Sequence, residues 1–145
     1  MKRIYLDSNV FISLVGDEIG RDFTLLSEDS RKFAAVCAKK GFILVLSTWL
    51  FKEVKGVISF EREDIIGVIQ EQGINFELSE PKQNISKEIM RIRRDFGLHH
   101  SDAVHVAIAK YAGCDLIVSW NKKDFEKAES IVKCRTPKEI IGEDF

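Results

Sequence analysis

Asp7, Glu53 and Asp102 are the residues of this chain whose types and placement could do chemistry together. Asp7 closes the apolar run Ile4-Tyr5-Leu6, which has the composition of a buried parallel strand. Ser8 and Asn9 then offer helix-capping chemistry before Val10, Phe11, Ile12 and Leu14 turn helical. A strand that ends in a carboxylate and feeds directly into a helix is where open α/β sheets place their ligands. Ser8 is expected to take the cap, which leaves Asp7 free for a metal.

Glu53 lies in a helix expected from Ser47 to Val57. With Trp49 set at zero and about 100° per residue, Glu53 falls near 40°, Val57 near 80° and Leu50 near 100°. Lys52 and Lys55 mark the opposite side, so Glu53 sits inside the apolar stripe. A carboxylate there is costly unless it is hydrogen-bonded, paired or bound to a cation. A place at the rim, or a salt bridge from a lysine or arginine, would also satisfy it. Asp102 opens the segment SDAVHVAIAKYAGC, apolar nearly all round and expected to be deeply packed. It lies over Val106 and Ala109 on a face with no other charge. Taken alone it reads as a helix-start acid favoured by the helix dipole. In IVSWNKKDF, residues 117–125, Ser119 and Asn121 sit at a strand end and Asp124 follows one turn later. Asn121 alone is an ordinary turn residue.

The elements must bring these groups to one place. Helices are expected over Arg21 to Lys40, with Phe23, Leu26, Phe33, Val36 and Cys37 inward, and over Glu61 to Gln72, with Ile65, Ile66 and Ile69 inward. A third runs from Pro81 to Phe96, with Ile85, Ile89, Ile92 and Phe96 as its stripe. Ser101 is expected to cap a helix from Asp102 to Ala112. Phe42 to Leu46, Leu116 to Trp120 and Ile131 to Cys134 read as strands, and Ile74 to Leu78 as an edge strand. Thr136-Pro137 opens a final helix, with the threonine as cap and the proline in the first turn. Strands alternating with helices imply right-handed crossovers and a parallel sheet, so the fold class is α/β, three-layered α/β/α. All strand ends then share one edge, which gathers Asp7, Asp102 and Asn121, with Glu53 on a helix that starts there. Carboxylates gathered without lysine or arginine repel, and a divalent cation explains their proximity. All-oxygen ligands favour Mg²⁺ or Mn²⁺ over zinc.

A length of 145 residues, 45% hydrophobic and 31% charged, fits one globular domain with a real core. The formal net charge of -1 neither favours nor excludes nucleic acid, since an acidic centre with a basic rim sums to near zero. Cys37, Cys114 and Cys134 are scattered, without metal-ligand spacing, and read as buried thiols of a reducing cytosol. Only three apolar residues separate Met1-Lys2-Arg3 from Asp7, too few for a signal peptide, and no run reaches the length of a membrane span. The expectation is a soluble, cytoplasmic protein.

The sequence resembles PIN-domain ribonucleases of the kind found as toxins in bacterial and archaeal toxin–antitoxin pairs. The resemblance rests on LDSNVF at Leu6 to Phe11, WLFKEV at Trp49 to Val54 and SDAVHVAIA at Ser101 to Ala109. It extends to VSWNKKDF at Val118 to Phe125 and TPKEII at Thr136 to Ile141, and so covers essentially the whole chain. It implies a Mg²⁺- or Mn²⁺-dependent endoribonuclease with an acidic centre at Asp7, Glu53 and Asp102, leaving 5′-phosphate and 3′-hydroxyl ends on RNA. Ser8 or Asn9, and Ser119, would be supporting hydrogen-bonders. A protein antitoxin and a homodimer are the partners it implies. Many relatives carry a fourth aspartate where this chain has Asn121. The amide can still bind a cation or water through its carbonyl oxygen without adding charge, and Asp124 is the alternative donor.

Two other functions compete. A haloacid-dehalogenase-type phosphatase also uses a strand-end aspartate, but needs a second aspartate two residues later, where this chain has Asn9. A catalytically weak or inactive PIN-like module that binds RNA or protein is the other, motivated by Asn121. His99, His100 and His105 invite a zinc reading. His105 reads rather as a satisfied core histidine, and adjacent His99 and His100 cannot easily point both rings at one ion. Arg93 and Arg94 read first as a solvated face and second as an RNA-backbone track, with Lys122 and Lys123 better placed at the acidic edge.

Overall fold

The computed structural model describes residues 2–16, 24–81 and 83–143. Strand β1 (Arg3–Leu6) leads into helix α1 (Ser8–Leu14), followed by α2 (Thr24–Lys40), β2 (Ile43–Ser47) and α3 (Thr48–Ile58). Then come α4 (Arg62–Glu71), β3 (Asn75–Ser79), α5 (Ser86–Phe96), α6 (His100–Tyr111), β4 (Leu116–Val118) and α7 (Lys122–Phe125). A 3-10 turn (Glu126–Ala128), β5 (Lys133–Arg135) and α8 (Pro137–Gly142) complete the order.

The five strands form one sheet in the order β3-β2-β1-β4-β5, every pair parallel. The chain builds outward from β1 to β3, then crosses to β4 on the other side of β1. That reversal makes the gap between the ends of β1 and β4 the topological switch point. Alternation along each strand divides the core into two layers. Ile4 and Leu6 of β1 pack with Leu44, Leu46, Leu116 and Val118 under α1, α2, α3, α4 and α8. Tyr5 points the other way and packs with Val45, Ile117 and Cys134 under α5, α6 and α7. The three-layer α/β/α arrangement expected from the sequence is what forms.

Several boundaries differ from expectation for identifiable reasons. The helix expected from Pro81 begins only at Ser86, because Asn84 Oδ1 accepts the Ser86 N–H at 2.8 Å and holds the preceding chain in a local turn. Helix α6 starts at His100 with His99 as N-cap, so Ser101 is inside the first turn and its hydroxyl is used elsewhere. Leu26, expected inward on α2, is 37% exposed, while Ala34 is buried beside Phe33 and Cys37. Residues 21–23, with Phe23, lie outside the described residues. The final strand starts two residues later than expected and ends one residue later. Thr136 and Pro137 start α8 as expected, with Thr136 and Glu139 forming a reciprocal capping box.

Candidate metal centre

Asp7 follows β1 and Ser119 follows β4, so the two stand on either side of the switch point. The Ser119 hydroxyl donates to Asp7 Oδ2 at 2.7 Å. Asp7 Oδ1 accepts the Ser8 N–H at 2.7 Å, and the Ser8 hydroxyl lies 3.4 Å from the same oxygen. Asp7, not Ser8, is therefore the N-cap of α1, which corrects the division of labour expected from the sequence. Capping uses one lone pair of one oxygen, and a carboxylate has four. Asn9 braces the other side: its amide donates to Ser119 Oγ at 3.3 Å and its carbonyl accepts the Trp120 N–H at 3.2 Å.

Glu53 reaches this point from α3, whose start is fixed by Ser47 Oγ accepting the Leu50 N–H at 3.1 Å. The buried stripe of α3 is centred on Leu50 and Val54, while Val57, expected within it, is 49% exposed. Glu53 consequently stands at the rim of the stripe, its side chain 25% exposed. Its partner is neither lysine nor arginine. Glu53 Oε2 accepts from the Ser101 hydroxyl, and Glu53 Oε1 lies 2.5 Å from His105 Nε2. Trp49, one turn earlier on α3, donates its indole N–H to the same Ser101 oxygen at 3.2 Å.

His105 is buried, 1% exposed, with Nε2 also 3.3 Å from Asp7 Oδ1. One ligand atom from each of Asp7, Glu53 and His105 lies within 4.8 Å of the others. The sequence reading of His105 as a satisfied core histidine is half of the truth: it is buried and satisfied, but by the acids of the site. Its spacing one helical turn after Asp102 was the available signal. Nothing in the sequence shows that Ser101 bonds Glu53, because Ser101 doubles as a plausible cap.

Asp102 stands outside that trio but feels it. Burial raises its carboxyl pKa, and the charge of Asp7 raises it further, against the opposing pull of His105. Burial would also raise Glu53, but hydrogen bonds from His105, Ser101 and Ser8 outweigh it and leave that carboxyl below its ordinary value. Burial pulls the His105 imidazolium down, while Glu53, Asp7 and Asp102 raise it more. Asn121 is exposed. Its backbone N–H donates to Ser119 Oγ at 3.0 Å, which orients the serine that holds Asp7. Asp124 is half-buried, its N–H bonded to Asn121 O at 3.1 Å, and its charge adds to the rise at Asp102. Among the described residues no lysine or arginine pairs with Asp7, Glu53 or Asp102. Oxygen donors facing one point without a permanent cation are a donor set suited to a divalent ion.

The basic candidates differ in their surroundings. Lys122 Nζ is 2.6 Å from Glu139 and is committed there, whereas Lys123 is exposed. Arg93 and Arg94 line a recess of about 400 Å³ at the C-terminal end of α5 with Met90, Gly97 and Leu98. Gly97, at φ 68°, then turns the chain toward His99 and the start of α6. Among the described residues no helix is long and apolar enough to cross a membrane.

Among curated proteins, no match to the sequence is found. A family model described as the PIN domain matches residues 4–130. That span includes β1 with Asp7, α3 with Glu53, α6 with Asp102 and His105, and the β4 end with Ser119 and Asn121. With most of its 145 residues matched, and its acids meeting at the switch point of the sheet, the chain belongs to the PIN-domain family.

Proposed function

We propose that the chain is a Mg²⁺- or Mn²⁺-dependent endoribonuclease that hydrolyses RNA phosphodiester bonds at the centre formed by Asp7, Glu53 and Asp102. PIN domains are generally metal-dependent nucleases. The observation that carries the reading here is the approach of Asp7 and Glu53 to one point with no lysine or arginine among the described residues to balance them. A divalent cation held there would supply Lewis acidity and lower the pKa of a bound water.

The chain's own residues divide the remaining work. Asp7 and Glu53 offer oxygen donors from the end of β1 and the middle of α3, and Asp102 adds a third from the first turn of α6. Ser119, held by Asn9 and by the Asn121 N–H, keeps Asp7 Oδ2 in a fixed direction. Ser8 supports Asp7 and helps to stabilise Glu53 as the anion. Asn121, with Asp124 behind it, is the outermost member and the weakest donor. Lys123 and Arg93 supply positive charge for the RNA backbone, and Arg94 and Lys122 join them when they leave Asp95 and Glu139. Charge removal at Arg93 and Arg94 should lower RNA affinity and shrink its salt slope. An unchanged slope would remove these arginines from the RNA path.

The role of toxin in a toxin–antitoxin pair, with a protein antitoxin and a homodimer as partners in the cytoplasm, is supported by the motif resemblance alone. The direct test of the catalytic reading is cleavage of RNA with Mg²⁺ or Mn²⁺ by the wild type and by Asp7→Asn. Equal rates from the two would sink it. A wild type that binds no Mn²⁺ and cuts no RNA would leave a binding module.

A further inference from the structure

Both carboxylate oxygens of Glu53 are held from the protein side, one by Ser101 and one by His105. Behind His105 a chain of buried hydrogen bonds runs back into the sheet. His105 Nδ1 lies 2.5 Å from the Tyr5 hydroxyl, which lies 2.7 Å from Ser47 Oγ, which accepts the Leu50 N–H at 3.1 Å. Tyr5 is 0% exposed, and Ser47 and His105 are 1% exposed.

Counting hydrogens limits the directions this chain can take. Each hydroxyl has one hydrogen to donate. With the Leu50 N–H already donating to Ser47, the serine can donate to Tyr5 and Tyr5 to His105 Nδ1. The imidazole hydrogen then sits on Nε2, facing Glu53 Oε1. If the ring is fully protonated, Nδ1–H donates to Tyr5 and Tyr5 to Ser47, and Nε2 still carries a hydrogen toward Glu53. In both arrangements the ring donates to the carboxylate; the remaining tautomer, neutral with its hydrogen on Nδ1, would set a bare Nε2 lone pair against the ionised Glu53 Oε1 at 2.5 Å and is disfavoured by that contact. Two atoms bound to one metal at about 2.1 Å each, at right angles, lie about 3 Å apart. The 2.5 Å between Nε2 and Oε1 instead fits a shared hydrogen.

From this geometry we propose that His105 is a positioning residue for Glu53, itself oriented by Tyr5 and Ser47, and not a ligand of the ion. The proposal rests on the metal-dependent reading above and adds to it the device that aims Glu53. Ser47 caps the helix that carries Glu53, and Tyr5 lies two residues before Asp7. One buried chain therefore ties the position of Glu53 to the strand that positions Asp7.

The test is titration of the wild type, His105→Leu, His105→Gln and Tyr5→Phe with Mn²⁺ alone, following free Mn²⁺ by its electron paramagnetic resonance signal. Mg²⁺ is then read by competition, and circular dichroism checks the fold. Loss of an outer hydrogen-bond partner typically weakens metal binding by about 10–100-fold, the range expected for His105→Leu. His105→Gln, whose amide N–H can still reach Glu53, should recover part of the affinity, and Tyr5→Phe should show a smaller loss in the same direction. The ratio of Mn²⁺ to Mg²⁺ affinity should stay near the wild-type value throughout. Wild-type Mn²⁺ affinity in a folded His105→Leu protein would overturn the proposal. So would a collapse of the Mn²⁺ preference in His105→Gln, since that marks a lost nitrogen ligand. Should His105→Leu fail to fold, His105→Gln and Tyr5→Phe decide the matter by the same two readings. A wild type that binds no Mn²⁺ fails the metal reading itself, and the positioning role falls with it. Binding in the wild type together with unaltered binding in the variants fails the positioning role alone.

Discussion

Strand β1 has acids near both of its ends, and the two groups are settled in opposite ways. Near its start, Glu77 and Asp115 meet Arg3. The guanidinium lies 2.5 Å from Glu77 and donates to Ala112 O at 2.8 Å, while the Arg3 backbone N–H donates to Asp115 at 2.8 Å. Near its finish, Asp7 and Glu53 meet, among the described residues, His105, the Ser8 N–H and the hydroxyls of Ser8, Ser101 and Ser119, with no lysine or arginine. Arginine carries its charge at every physiological pH, so the first group is complete in the protein alone. The second is complete only with a proton on His105 or with a cation from outside. Acids in proximity are thus not by themselves a site. What marks one is the missing permanent charge.

The largest effect expected from this contrast belongs to Asp7→Asn. Asparagine is as good an N-cap as aspartate, so α1 keeps its start and the fold should lose little stability. The centre loses a charged donor, and cleavage should fall by at least the roughly 10–100-fold that outer partners alone command. Rates under single-turnover conditions, beside denaturation curves of both proteins, check the separation. Matched losses of activity and stability would mean that Asp7 serves the fold.

Metal binding should also separate the two ends. With Mn²⁺ at 100 times its dissociation constant, the wild type should gain about 2.7 kcal/mol of stability, and Asp7→Asn should gain almost none. Arg3→Met should keep the full metal-induced gain. A smaller effect is the cost of Arg3→Met without metal. Glu77 is 46% exposed, so the pair is solvent-screened and the loss should be about 0.5–1 kcal/mol, read from denaturation midpoints. A loss of Mn²⁺ affinity in Arg3→Met would break the comparison, because the two acid groups would then be coupled through β1.

The contrast also explains what could be read in the sequence. The sheet was legible because Ile4-Tyr5-Leu6, Leu44-Val45-Leu46 and Leu116-Ile117-Val118 are apolar runs of strand length. The edge position of Asn75–Ser79 followed from its weak alternation. Glu53 was legible as an acid misplaced among apolar residues, although the register of its helix turned it to the rim. His105 and Ser101 were not legible as partners of Glu53, because side-chain hydrogen bonds across 52 and 48 residues of sequence leave no periodic trace. Each also had a sufficient local explanation, as a core residue and as a cap. Asp7 shows the same difficulty in reverse, since one carboxylate both caps α1 and faces the centre.

The smallest effect concerns a third carboxylate, intermediate between the two groups. Glu139 closes the capping box of α8 and holds Lys122, the residue after Asn121, at 2.6 Å. Burial would raise its carboxyl, but Lys122 and Thr136 outweigh that and place it below the ordinary glutamate value. A carboxyl lowered by folding adds stability above its unfolded pKa of about 4.3, and that stability is lost as pH falls through the folded value. Glutamine can keep the capping box without the charge, so Glu139→Gln isolates the ionic part. The wild type should be slightly more stable than Glu139→Gln at neutral pH, and the gap should close as the solution is acidified below the ordinary glutamate range. With the Glu139 side chain 37% exposed, added salt should narrow the gap at neutral pH as well. Denaturation midpoints of both proteins across that acid limb, at low and high salt, read the difference. A gap that persists unchanged at low pH would show that the substitution damages the cap, and would remove Glu139 from the acids whose charge is balanced within the protein.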